Sequence, residues 1–236
     1  MLTSSKGPTP SKVVILLDVD DTLLDNDRFG ADLAAHLTRD FGPDGQARYQ
    51  AIYEARRTEL GYADYLGAAQ TFREGCDDEA ALLRLSAFLL DYPFADRLYP
   101  RALEALAHLG RLGTTGILSD GDIIFQPRKI QRSGLWQAVD GRVLVYVHKE
   151  RMLHAVQHRL PADHYVMVDD KPQLLAAMKR ELGTRLTSVF VRQGHYAAAV
   201  RNTVIEPPPD RVIDHIGELC DLSLAELCSP ALSPEP

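Results

Sequence analysis

Long apolar runs are missing from this chain of 236 residues, and none approaches the roughly 18 residues that a membrane-spanning helix needs. No membrane association is expected. Met1 to Lys12 lack the apolar centre of a secretory leader, so the chain is expected in the cytoplasm. Cysteine is scarce: Cys76, Cys220 and Cys228 are odd in number and scattered. That excludes a disulfide framework and fits reduced thiols, and none has a His or Cys neighbour at metal-ligand spacing. Basic charge is also short, with 26 Lys and Arg against 33 Asp and Glu and a net charge of −7. A nucleic-acid partner, which demands a basic face, is therefore not expected. An anionic substrate stays open, because one bound cation and one lysine can invert the local field. Internal repeats and low-complexity blocks are absent as well.

What the chain does have is a sharp charge boundary near its start. Val13-Val14-Ile15-Leu16-Leu17 reads as a strand covered on both faces, and it runs straight into Asp18, Asp20 and Asp21. Two carboxylates about 4 Å apart repel by roughly 4 kcal/mol at an effective dielectric near 20. A fold keeps such a cluster when a cation neutralises it or when one carboxyl carries a proton for chemistry. An acidic turn or helix cap is the structural alternative.

Residues 26–96 read as helical throughout. Phe29, Leu33, Leu37 and Phe41 mark a helix stopping at Gly42-Pro43, and Tyr49, Ile52, Tyr53 and Leu60 a second ending at Gly61. Tyr62, Tyr65, Leu66, Ala69 and Phe72 suggest a third, and Asp77-Asp78-Glu79 opens a fourth through Leu90. From Tyr99 the pattern alternates. Helices near 101–112, 127–133, 152–160 and from Pro172 separate strands at 114–118, 143–147, 165–168 and 186–191. Such alternation implies an α/β fold, a Rossmann-like parallel sheet flanked by helices, with an inserted helical cap domain. The expected layout is a disordered lead over 1–11, a core over 12–25 and 97–228, a cap over 26–96 and a disordered tail over 229–236. Pro207-Pro208-Pro209 reads as a stiff connector to a short terminal helix carrying Val212, Ile213, Ile216 and Leu219.

Ligands of open parallel sheets sit beyond the carboxyl ends of the strands. Those ends deliver Asp18 and Asp20, then Ser119 with Asp120 and Gly121, then Lys149, then Asp169 and Asp170. These types suit phosphoryl transfer: a carboxylate to attack phosphorus, a carboxyl to move the proton, acidic ligands for magnesium, and a lysine and hydroxyl for the phosphate oxygens. In this order the segments Asp18-Val19-Asp20-Asp21-Thr22, Ser119-Asp120-Gly121, Lys149 and Val168-Asp169-Asp170 resemble the four motifs of the haloacid dehalogenase-like hydrolase superfamily, mostly Mg-dependent phosphatases, over about Val13 to Gly194.

The resemblance implies that Asp18 is nucleophile and metal ligand. It implies that Asp20 is general acid/base and offers its backbone carbonyl to the metal, and that Thr22 orients the Asp20 loop. Ser119 and Lys149, with Asp120 and Gly121, would hold the phosphate, and Asp169 and Asp170 would complete a Mg²⁺ site. The dehalogenases of the superfamily lack the second aspartate, so Asp20 favours phosphate chemistry. Asp21 stands where Gly is frequent, and Lys149 lies in His148-Lys149-Glu150, with Lys171 as the alternative lysine.

The expected function is a Mg-dependent phosphatase on a small phosphorylated metabolite. A phosphotransferase or mutase on the same chemistry, or a non-catalytic binding or regulatory protein of this fold, are the alternatives. A signalling receiver domain is excluded by motif order. Arg56, Arg57 and Arg73 could meet a second anionic group, although a solvated helix face is the commoner reason for them. Asn26 and Asp27 read as the cap of the first inserted helix. His36, His108, His148, His154, His158, His164 and His195 suggest no metal-ligand spacing. Nothing in the sequence supports an oligomer.

Overall fold

A computed structural model describes residues 12–199 and 204–228. The stretches expected as a disordered lead and tail lie outside these residues. Six parallel strands make one sheet in the order β3-β2-β1-β4-β5-β6. They are β1 (Val13–Leu17), β2 (Thr114–Asp120), β3 (Val143–Tyr146), β4 (His164–Asp169), β5 (Leu186–Val191) and β6 (Arg211–Ile213).

All five residues of β1 are buried, as a central strand covered on both faces requires. Val13, Ile15 and Leu17 face one apolar layer with Leu106, Leu109 and Ile117, while Val14 and Leu16 face the other with Leu153, Met167 and Leu175. Leu17 pairs with Ile117 of β2 on one side and Val168 of β4 on the other. The residues that follow these three strands therefore emerge together, at the place where the strand order reverses.

Between β1 and β2 lie α1 (Asn26–Leu60), α2 (Tyr65–Phe72) and α3 (Glu79–Asp91), a long helical insert that forms a cap, followed by α4 (Ala102–Leu112) back in the core. The stop expected at Gly42-Pro43 is a kink instead. Gly42 takes φ 73° and ψ 174°, and Pro43 begins the second limb of α1, where its fixed φ costs nothing. Asp25 caps α1, its carboxylate accepting from the Arg28 amide. Asn26 and Asp27 are thus not the cap; they are the first helical residues, and their amides donate to Asp21 Oδ1 at 3.0 and 3.3 Å. Asp64 and Asp78 cap α2 and α3 in the same manner. Among the described residues no helix is long and apolar enough to cross a membrane.

The core continues with α5 (Phe125–Arg132), α6 (Leu135–Ala138), α7 (Leu153–Arg159), α8 (Pro172–Leu182), α9 (Gly194–Ala199) and α10 (Leu224–Cys228). A further expectation fails. Val212 and Ile213 are in β6 rather than in a terminal helix, and β6 pairs with β5 through Phe190 and Val191. The reason lies just before it: Asp210 Oδ2 accepts from the Ser188 amide (2.8 Å), the Ser188 hydroxyl (2.9 Å) and Lys179 Nζ (2.7 Å). That clamp fixes the chain alongside β5. A 3-10 turn over Ile216–Asp221 follows and supplies the buried Ile216 and Leu219.

Candidate active site

Asp18 is the first residue past β1, and its amide still continues the sheet by donating to Val168 O at 3.0 Å. Its side chain is buried against Lys149, whose Nζ lies 2.5 Å from Asp18 Oδ1 and 2.8 Å from Asp169 Oδ2. Lys149 is completely buried and also donates to Leu118 O at 3.2 Å. Burial favours the neutral amine, but the carboxylates of Asp169, Asp18 and Asp120 outweigh it and hold the lysine above its usual range. The alternative lysine, Lys171, makes no such contact with Asp18.

The chain then turns tightly. The amides of Thr22, Leu23 and Leu24 all donate to Val19 O. Asp21 sits in this turn with φ 56°, and its carboxyl is pushed up to about 7, by burial first and then by Asp27 and Asp20. Thr22 is fully buried, and its carbonyl accepts from Gln193 Nε2 at 2.9 Å.

Asp20 turns away from the Asp18 cluster. Its Oδ1 lies 2.6 Å from Lys129 Nζ, and its Oδ2 accepts from Gln126 Nε2 at 3.1 Å. The same Gln126 amide donates to Ser119 Oγ at 2.9 Å, linking the ends of β1 and β2. Asp120 accepts the Lys149 amide at 2.9 Å, which fixes the start of the loop that delivers the lysine. Gly121 donates to Tyr146 O at 3.0 Å, and at its φ of 153° a Cβ would lie 2.8 Å from Gln126 Cβ. Only glycine fits there.

Lys129, Gln126 and Gln193 were not singled out in the sequence, and Asn26 was read there only as a helix cap. Lys129 is 0% exposed, donates also to Asn26 Oδ1 at 3.0 Å, and stands among the rings of Phe29, Tyr65, Phe94 and Phe125 at 5.3 to 6.0 Å from their centroids. Such a ring set stabilises a desolvated ammonium. Lysine is rarely fully buried, and the rings come from four separate segments, so no local spacing reveals this one.

Carboxylate oxygens of the buried Asp18, Asp169 and Asp170 lie within 4.8 Å of one another. Among the described residues, neither buried oxygen of Asp170 has a hydrogen-bond partner. Burial and the Asp169 carboxylate push the Asp170 carboxyl well up. Orphaned, mutually repelling oxygens on hard ligands fit a small divalent cation such as Mg²⁺. The Asp20 carboxylate is not among them. A second, more exposed group joins Asp21, Asp27 and His195, where His195 Nδ1 lies 2.5 Å from Asp27 Oδ1.

The haloacid dehalogenase-like hydrolase family matches residues 13–180. The chain belongs to that family. The hydrolase is similar, at 56% identity, to a haloacid dehalogenase-like hydrolase of known structure from Burkholderia xenovorans, over 92% of this chain and 99% of that one, with a TM-score of 0.85. A HAD-hydrolase from Bacillus subtilis bound to magnesium shares the fold at 19% identity and a TM-score of 0.61, over 89% and 97% of the two chains. An L-2-haloacid dehalogenase from Xanthobacter autotrophicus shares it at 20% identity and 0.57, over the same shares. No curated protein matches the hydrolase.

The cap meets the core over this site. Gly61 ends α1 with φ 78°, and a Cβ there would lie 2.5 Å from His148 Cε1. Arg57, one turn earlier, donates to the Tyr196 hydroxyl of α9. Below this seam a cavity of about 120 Å³ is lined by Asp20, Asp120, Arg57, Lys171 and Tyr196, among others.

Proposed function

We propose that the hydrolase is a magnesium-dependent phosphatase that cleaves a small phosphorylated metabolite through an aspartyl phosphate on Asp18. The observation that carries this reading is the oxygen cluster of Asp18, Asp169 and Asp170, in which both Asp170 oxygens are unpaired among the described residues. Displacing halide from a neutral carbon needs no such cation site, whereas bringing a carboxylate to an anionic phosphate does. Bound magnesium would supply charge neutralisation between the nucleophile and the phosphoryl group.

In the first step an Asp18 oxygen attacks phosphorus and the ester P–O bond breaks. The alcohol leaves with a proton from Asp20. In the second step Asp20 takes a proton from water, the water oxygen bonds to phosphorus, and the Asp18–phosphorus bond breaks. The sum is ester plus water to alcohol plus phosphate. Lys149 holds Asp18 in place and offsets the negative charge. Ser119 and the backbone around Asp120 and Gly121 hold the phosphoryl oxygens. The cap excludes water from the first step.

Phosphate release from a panel of phosphorylated metabolites, with and without magnesium and beside Asp18→Asn, tests this. Magnesium-dependent release that Asp18→Asn abolishes supports it. Transfer of the phosphoryl group to a second alcohol without phosphate release would favour a transferase, and no turnover at all would favour a binding role.

A further inference from the structure

Three cap arginines were open to a role with anions, and their surroundings differ. Arg56 is tied to Asp64, with Nη2 2.5 Å and Nε 2.8 Å from Oδ2. Arg73 pairs with Glu79 at 3.5 Å on the cap surface. Arg57 instead faces the core, its guanidinium carbon 5.7 Å from the Tyr196 ring centroid. Among the described residues its one carboxylate neighbour is Glu54, 3.5 Å away and half exposed, too weak a partner to cancel its charge.

Lys171 stands on the other wall. It follows the Asp169-Asp170 pair, and its ammonium lies 5.0 Å from the same Tyr196 ring. Among the described residues its ammonium has no hydrogen bond and no ion pair. A half-buried cation without an acceptor is costly unless something else supplies one. Arg57 from the cap and Lys171 from the core thus flank one tyrosine, and both line the cavity that holds Asp20.

On the phosphatase reading the phosphoryl group at Asp18 already has Lys149, Ser119 and the backbone around Asp120 and Gly121. Two further cations exceed what one phosphoryl group needs. We infer that Arg57 and Lys171 form a subsite for a second anionic group of the substrate, so that the preferred substrates are small phosphate monoesters carrying a carboxylate or a second phosphate. This rests on the phosphatase reading of the same cleft. The guanidinium presents planar paired donors that match either anion, and the Tyr196 hydroxyl holds that fork in position meanwhile. An anion shared by cap and core also draws the two together when substrate is bound.

The test compares two pairs of esters: glycerol 3-phosphate with 3-phosphoglycerate, and propane-1,3-diol monophosphate with the bisphosphate. For each, kcat/KM is measured with magnesium, and Kd is measured by calorimetry on an Asp18→Asn background. The subsite favours the second-anion member about tenfold or more in both readouts, the worth of a charge-assisted hydrogen bond. Arg57→Met removes the preference, Lys171→Met reduces it, and Arg73→Met keeps it. Preference in the first pair alone identifies a carboxylate site, and in the second alone a phosphate site. Equal kcat/KM and Kd within both pairs, or a preference that survives Arg57→Met and Lys171→Met, overturns the subsite. Tighter binding of the second-anion members without any phosphate release upholds the subsite and overturns the phosphatase reading instead.

Discussion

Lys129 Nζ lies 2.6 Å from Asp20 Oδ1, a fully buried ammonium against a carboxylate that is 24% exposed. Lys129 belongs to α5 of the core, while its other acceptor, Asn26, starts the first cap helix. The carboxyl assigned to proton transfer is therefore held by a residue that also touches the root of the cap.

Replacing Lys129 by Met fills the ring-lined space with a flexible apolar chain but leaves Asp20 without its cation. Lys129→Met is expected to lower kcat about tenfold or more on alkyl phosphates, with a smaller effect on aryl phosphates, whose leaving groups need less help from a proton. Added to Asp20→Asn, the same change should cost little further kcat. Steady-state kinetics on the two ester types, with the double variant, checks both statements.

Magnesium should stabilise the fold. Ligands that bind only the native state raise stability by mass action, and here the cation would also relieve the repelling oxygens of Asp169 and Asp170. Melting the wild-type protein with magnesium and then with a chelator should show a lower Tm in the chelator. Asp170→Asn should narrow that difference and raise the magnesium concentration for half-maximal activity about tenfold or more.

Asp210 gives a pH-dependent contribution away from the active site. Burial alone would raise its carboxyl, but hydrogen bonds from Lys179 and Ser188 outweigh it and hold the group below its ordinary value. A depressed carboxyl stabilises the fold above the unfolded-state value of about 3.9 and loses that contribution as pH falls through the folded-state value. Asp210→Asn should therefore cost about 1–3 kcal/mol at pH 7, the usual range for losing charge-assisted hydrogen bonds. The cost should shrink toward pH 3. Urea melts of both proteins across this range measure it.

How much of this was legible depended on how local the cause was. β1 and most of β4 are apolar runs wherever they are placed, and the carboxylates that end them mark the sheet edge directly. Strands β1, β2, β3 and β4 bring Asp18, Ser119, Lys149 and Asp169 to one edge, as their order in the chain implies. β6 was missed because a three-residue strand has no period to read, and it is held by Asp210 and Ser188, 22 positions apart. The kink at Gly42 reads as a stop because Gly-Pro ends helices locally, while packing of both limbs of α1 on α2 and α3 is tertiary. Lys129 was invisible for the same reason: only the assembled rings of Phe29, Tyr65, Phe94 and Phe125 make a buried lysine tolerable.

The central claim is that Asp18 attacks the substrate phosphorus and is released when water attacks that same phosphorus. A single turnover in ¹⁸O-labelled water, with enzyme in excess over the best ester of the panel, tests it most directly. Mass spectrometry should find the label in the released phosphate and none in the peptide carrying Asp18. Label in the Asp18 carboxylate would place the attack of water on the carboxyl carbon, as displacement at an alkyl carbon requires, and would contradict the account.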